Sequence, residues 1–285
     1  MPSEARERRK WAARNPPATA ADRRRARAVA ARTAEEFRER GATAVVLGGS
    51  WAAGRARRAS DIDLWVFGLR SGSEVLWRDP FQVVVDRRTV ARELHELRHP
   101  PRLAGSVPGW RTPVILHDTG GVARRLRAEA LRFRWSSVDT ECDRWAAGQM
   151  VWWSEEVVKL VRALALGSAS TAGVQRHLLA DRLGLVMAIH QRRFWGSQNE
   201  FWEQNADAIG GEWARAQRGA LGVDGGSWRR TCEAALRLYA LTARAVWATL
   251  NDEQRSIVTF ALRVAGQPVP SAPTGRVRRV TKRSR

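Results

Sequence analysis

Residues Val45 to Phe67 read VVLGGSWAAGRARRASDIDLWVF, and the fold turns on them. Val45, Val46 and Leu47 form an apolar run that breaks at Gly48-Gly49-Ser50 and passes through a basic linker. A second apolar run follows, carrying Asp61 and Asp63. Side chains alternate along a strand, so the two aspartates share one face while Ile62 and Leu64 turn into a core. Carboxylates at this spacing stand about 7 Å apart along the strand and form half of a divalent-metal site. Mg²⁺ takes one or two carboxylates and completes its shell with water and phosphate oxygens. The Gly-Gly-Ser turn supplies the other half: glycines let backbone amides approach a phosphate, a helix starting at Trp51 adds its positive end, and the Ser50 hydroxyl donates.

Strand, Gly-Ser, about ten residues and then Ser-Asp-Ile-Asp-Leu resembles the signature of the polymerase-β-like nucleotidyltransferase superfamily. GSWAAGRARRASDIDLWV is most similar to its minimal and antibiotic (aminoglycoside or lincosamide) nucleotidyltransferases. The likeness spans Ala42 to Val90, about one sixth of the chain. It implies an α+β fold, a small mixed sheet with flanking helices followed by an α-helical bundle. It also implies a nucleoside triphosphate, ATP or another, as co-substrate and two Mg²⁺ ions on Asp61 and Asp63, with Gly48, Gly49 and Ser50 at the phosphates. A third carboxylate is usual on the next strand. Here that strand offers Gln82, which carries no charge, and then Asp86. Asp86 is therefore the candidate third catalytic carboxylate, its alternative being an N-cap before the helix Arg87 to Leu97.

The chain has 285 residues, 44% of them hydrophobic, enough for one large domain or two small ones. No apolar stretch is long enough to span a membrane and no signal region opens the sequence, so a soluble, cytoplasmic protein is expected. Cys142 and Cys232 lack metal-ligand spacing and read as two buried reduced thiols. The histidines read as scattered, without a ligand pair. The net charge of +20 draws polyanions, or is simply how an Ala- and Arg-rich chain stays soluble. Nucleic acid is thus the lesser partner, after a nucleoside triphosphate and a small hydroxylated acceptor. Oligomeric state has no signature in the sequence.

Residues 1–20, with Asn15-Pro16-Pro17, read as a mobile basic arm. The nucleotidyltransferase domain follows over 21–132, opening with a helix to Arg40 whose Ala26, Val29, Ala30, Thr33 and Phe37 make one face. Ser71-Gly72-Ser73 reads as a turn, Phe81 to Asp86 as a strand and Thr89 to Leu97 as a helix. His99-Pro100-Pro101 stops that helix, and 113–117 (PVILH) reads as a last strand. Arg55, Arg57 and Arg58 either clamp phosphates or form a solvated loop. Helices over 140–165, 174–194, 200–220 and 228–264 make a helical domain, 133–268, before a basic tail, 269–285. Within it, Lys159 is the candidate phosphate-binding lysine, against an ordinary surface pair with Glu155. Glu155 and Glu156 are candidates for the base that deprotonates the acceptor. The tryptophans of this half read chiefly as core.

Overall fold

The computed structural model describes residues 15–270; residues 1–14 of the expected arm and 271–285 of the expected tail lie outside the described residues. The chain divides into two compact units. One runs to Ser137 and includes Phe194–Glu200; the other comprises Val138–Arg193 and the chain from Phe201 onward.

In the first unit, helix α1 (Ala20–Glu39) is closed at its start by a capping box between Thr19 and Asp22, and it buries Ala26, Val29, Ala30, Thr33, Ala34 and Phe37. Those residues sit at helical spacing on one stripe, which packs on the sheet. The sheet contains β1 (Ala44–Leu47), β2 (Ile62–Phe67), β3 (Gly72–Arg78), β4 (Phe81–Arg87) and β5 (Val114–Asp118), in the order β3-β4-β2-β1-β5. Pairing is antiparallel except for β2 with β4. One face of β2 and β4, made by Ile62, Leu64, Val66, Phe81, Val83 and Val85, is buried in the core beneath α1. Asp63, Trp65, Val84 and Asp86 therefore point to the opposite face.

Three expectations change here. Gly72 and Ser73, expected in a turn with Ser71, instead begin an edge strand, because Gly72 to Arg78 pair with Arg87 to Phe81 along the whole length of β4. Asp86 caps no helix: α3 (Val90–Glu96) is capped by Thr89, whose side chain accepts from the Arg92 amide. The prolines at 100 and 101 open a helix, α4 (Pro100–Arg111), rather than merely ending one, since proline at the first helical positions costs no hydrogen bond. Pro108 inside α4 leaves the Ala104 carbonyl without its helical donor, and the Trp195 amide, far along the chain, supplies one at 3.1 Å.

Residues 15–18, expected in the arm, are tied to the linker. Ala18 donates to the Ala56 carbonyl, Arg58 to that of Pro16, and the Ala59 amide to the Asn15 side chain. Helices α2 (Gly49–Ala52) and α5 (Val122–Arg132) complete this unit's named elements.

The second unit is helical: α6 (Asp139–Ala165), α7 (Ala169–His190), α8 (Gln198–Ile209, entering from the first unit), α9 (Gly211–Leu221), α10 (Trp228–Val246) and α11 (Asp252–Val264). The helix expected over 200–220 is two helices, because Gly210 takes a left-handed φ of 69° that interrupts the hydrogen-bond ladder. In the core of this unit Tyr239 donates to the Met150 carbonyl and Trp213 Nε1 to Thr242, whereas the buried Gln217 side chain has no partner among the described residues. Cys142 and Cys232 are both free and buried, and burial pushes the Cys142 thiol up to about 11. No helix among the described residues is long and apolar enough to cross a membrane.

Candidate active site

The register of β1 against β2 builds the site. Leu47 pairs with Leu64, so the chain leaves β1 beside Asp63, and the Gly48 amide donates to the Asp63 carbonyl at 2.9 Å. Both glycines are dictated by neighbours on β2. A Cβ on Gly48 would stand 2.6 Å from the Trp65 ring. A Cβ on Gly49 would stand 1.8 Å from Asp63 Oδ2, and φ at Gly49 is +60°. The Asp63 carboxylate thus lies directly on the bare backbone where α2 begins. The first amides of α2, Gly49 to Trp51, have no acceptors within the helix, and the half-buried Ser50 hydroxyl has no hydrogen bond among the described residues. Trp51 anchors the turn from the core side, its Nε1 donating to the Ser60 carbonyl and its ring meeting Phe81 edge-on. Ser60 also accepts from the Arg57 amide, which fixes the entry to β2.

Asp61 is exposed and Asp63 half-buried. Burial, reinforced by the Asp61 charge and only partly opposed by Arg88, pushes Asp63 up to about 6. Two neighbouring carboxylates with this little positive charge fit a divalent cation. Among the described residues no cluster of three or more His, Cys, Asp or Glu side chains stands ready to hold a metal, so such an ion would rest on these two carboxylates, water and phosphate.

Asp86 lies elsewhere on the same face. In the parallel β2–β4 register Val84 stands opposite Asp63, and Asp86 opposite Trp65. Its carboxylate receives Arg88 Nε at 2.7 Å and the Ser73 hydroxyl at 3.2 Å. Arg88 stacks over Trp65, 4.5 Å from the ring centre, and reaches the buried Glu93 at 3.3 Å. Glu93 also accepts from Trp110 Nε1 at 2.7 Å, and burial raises its pKa against the pull of Arg88 and Trp110. Sequence reasoning missed this network, because Arg88 and Glu93 are brought together across the Thr89 cap rather than by helical spacing.

The linker arginines hold structure: Arg55 donates to the Gly196 carbonyl, Arg57 to the Asn15 carbonyl, and Arg58 faces Asp22. Lys159 belongs to the second unit, exposed on α6, with its ammonium 2.9 Å from both Glu155 and Glu156. His95 and His99, read in the sequence as unrelated, stack with ring centres 4.8 Å apart.

The family model for the nucleotidyltransferase domain matches residues 30–101. A nucleotidyltransferase-like protein from Exiguobacterium sibiricum 255-15 superposes with a TM-score of 0.48 at 11% identity, over 82% of this chain and 79% of that one. No curated protein matches the chain. The matched stretch runs from within α1 through both halves of the site into α4, so the part of the first unit that is similar to a nucleotidyltransferase domain is the part that holds the site.

Proposed function

We propose that the chain transfers a nucleoside monophosphate, AMP from ATP, to a hydroxyl group of a small-molecule acceptor such as an antibiotic. The observation that carries this is the seating of the Asp63 carboxylate on the Gly49 backbone, which joins a phosphate-facing turn to a cation-seeking pair in one rigid piece. Asp61 and Asp63 would hold Mg²⁺, two ions in the full complement, and bound metal supplies charge neutralisation at the reacting phosphate and the departing pyrophosphate. Gly49 and Ser50 offer amides and a hydroxyl that orient the triphosphate for in-line attack. Arg88, pinned by Asp86 and Glu93, holds Trp65 flat under Gly48 and so keeps the turn in place. The reading draws on neither Lys159, which pairs with Glu155 and Glu156, nor the linker arginines, which bond backbone carbonyls or face Asp22.

A protein or RNA acceptor is the second reading, favoured by the exposed Arg23, Arg24, Arg27 and Arg32 on α1. Incubation with each nucleoside triphosphate, Mg²⁺ and a mixed library of hydroxylated acceptors, read by mass spectrometry, tests both. A nucleotide-sized gain on a small molecule is the expected result. A gain only on protein or RNA selects the second reading, and no metal-dependent pyrophosphate release overturns both.

A further inference from the structure

The strand order gives the reaction a direction. The Gly48–Ser50 turn follows β1, on one side of β2, whereas β4 and then β3 lie on the other side. In-line displacement puts the entering oxygen opposite the leaving group. With the pyrophosphate drawn to the turn and the reacting phosphate over Asp61 and Asp63, the acceptor must enter above β4 and β3. This step rests on the function proposed above.

The surface there is specific. Asp63 is opposite Val84, and Val84 opposite Val75. Two residues earlier the same register runs from Asp61 toward Gln82, which pairs with Trp77. Alternation puts Val75, Trp77, Gln82 and Val84 on the face that carries Asp63. Val75 is 61% and Trp77 67% exposed, an uncommon pair on the open face of a strand whose other face packs into the core through Leu76. The remainder of that face, at Trp65, lies beside α4, where a Cβ on Gly109 would stand 3.3 Å from the ring. Adjacent strands are about 4.8 Å apart, so Trp77 stands about 10 Å from the β2 carboxylates, the span of a ring plus a hydroxyl-bearing arm.

We infer that Trp77, flanked by Val75, Gln82 and Val84, is a stacking shelf for a flat ring of the acceptor, and that it selects uncharged acceptors bearing an aromatic or heteroaromatic ring. The shelf itself carries no carboxylate: Asp86 beside it is paired with Arg88, and the carboxylates across β4, Asp63 opposite Val84 and Asp61 next to it, are taken up by the cation in the function proposed above, so nothing on the shelf recruits a polycation. An indole face offers a ring its preferred offset stacking, and Gln82 offers one amide to the ring's edge.

Two probes that share every hydroxyl and differ in one ring test this: phenyl β-D-glucoside and methyl β-D-glucoside, with the full chain, ATP and Mg²⁺. The wild type should prefer the phenyl compound about tenfold in kcat/KM, through KM, and Trp77→Ala should bring the ratio near one while Trp77→Phe keeps most of it. Saturation-transfer NMR of the phenyl protons should show the ring on the wild type and on Asp63→Asn, which ends transfer, but not on Trp77→Ala. Ring binding that survives Trp77→Ala, or a wild type that transfers equally to both glucosides, overturns the shelf. A wild type that binds the ring without releasing pyrophosphate overturns the enzymatic reading and leaves the shelf standing. Sedimentation closes the remaining route: a dimer that Trp77→Ala dissociates would assign the exposed β3 face to a second copy of the chain and overturn the proposal.

Discussion

One face of the sheet carries two acidic groupings that are opposites in construction. Asp86 and Glu93 share the guanidinium of Arg88, Glu93 also takes the Trp110 indole, and Trp65 covers the arginine. Among the described residues Asp61 and Asp63 have only each other, the Gly49 backbone and the distant pull of Arg88. A neutralised cluster, partly buried, holds elements together; an unneutralised one stores a demand for positive charge that a folded protein has no structural reason to keep. The difference teaches where to look for chemistry on this face: at the acids left unsatisfied, not at those most elaborately bonded.

If the contrast is right, substitutions at the two groupings should fail in different ways. Asp61→Asn and Asp63→Asn should each lower metal-dependent pyrophosphate release by about 1,000-fold or more without loss of thermal stability. Activity within tenfold of the wild type in either variant would break the assignment. Glu93→Ala should do the reverse in kind. It strips Arg88 and the Trp110 indole of a buried partner, so unfolding in denaturant should show a loss of about 3 kcal/mol. A loss under about 0.5 kcal/mol, the scale of surface substitutions, would show that the bonded cluster is not structural.

Gly49, on the β1 side of β2 and away from Asp86, touches the open grouping directly. In Gly49→Ala the new methyl must displace the Asp63 carboxylate, and a φ of +60° adds backbone strain. The expected outcome is about a 100-fold fall in kcat/KM with a stability loss of about 1–2 kcal/mol, since a displacement on the scale of 1 Å at a reacting centre is that costly. An alanine variant that retains full activity would mean the carboxylate and the turn do not act as a unit.

What the sequence made legible follows a single rule. Features set by neighbours in the chain could be read. The alternation that turns Ile62 and Leu64 inward and Asp63 outward is local, as are the buried stripe of α1, the β5 strand after Pro113 and the Gly-Gly-Ser break. Features set by partners far along the chain could not. Gly72 and Ser73 look like a turn until β4 pairs with them. Pro108 looks like a helix breaker until Trp195 bonds the carbonyl it strands. Alternation puts Asp86 on the face of Gln82, but only the inter-strand register shows that this face is also that of Asp63 and that Asp86 stands further along, opposite Trp65, with Arg88 as its partner. The open grouping was visible because it depends on two residues of one strand, and the bonded one was hidden because it draws on β4, α3 and α4.

The smallest effect is also the most direct measure of the unsatisfied charge. Asp63 titrates near 6 when folded against 3.8 for a free aspartate, chiefly from burial, so the folded state holds its proton over a range in which the unfolded state has released it. The folded protein must therefore lose stability as pH rises from about 4 to about 6 and feel no further change from this group above that. Other buried acids, Glu93 among them, contribute slopes of the same sign. The informative quantity is consequently the wild type minus Asp63→Asn, in the presence of a chelator. That difference should grow by about 1 kcal/mol against the wild type across this window, making the variant the more stable protein at pH 7. Mg²⁺ should then narrow the gap at neutral pH, because a cation that binds only the folded, ionised pair stabilises the wild type by mass action and gains less from the variant. A difference curve flat from pH 4 to pH 7, or a gap indifferent to Mg²⁺, would mean that Asp63 stores no demand for positive charge and that the contrast between the groupings fails.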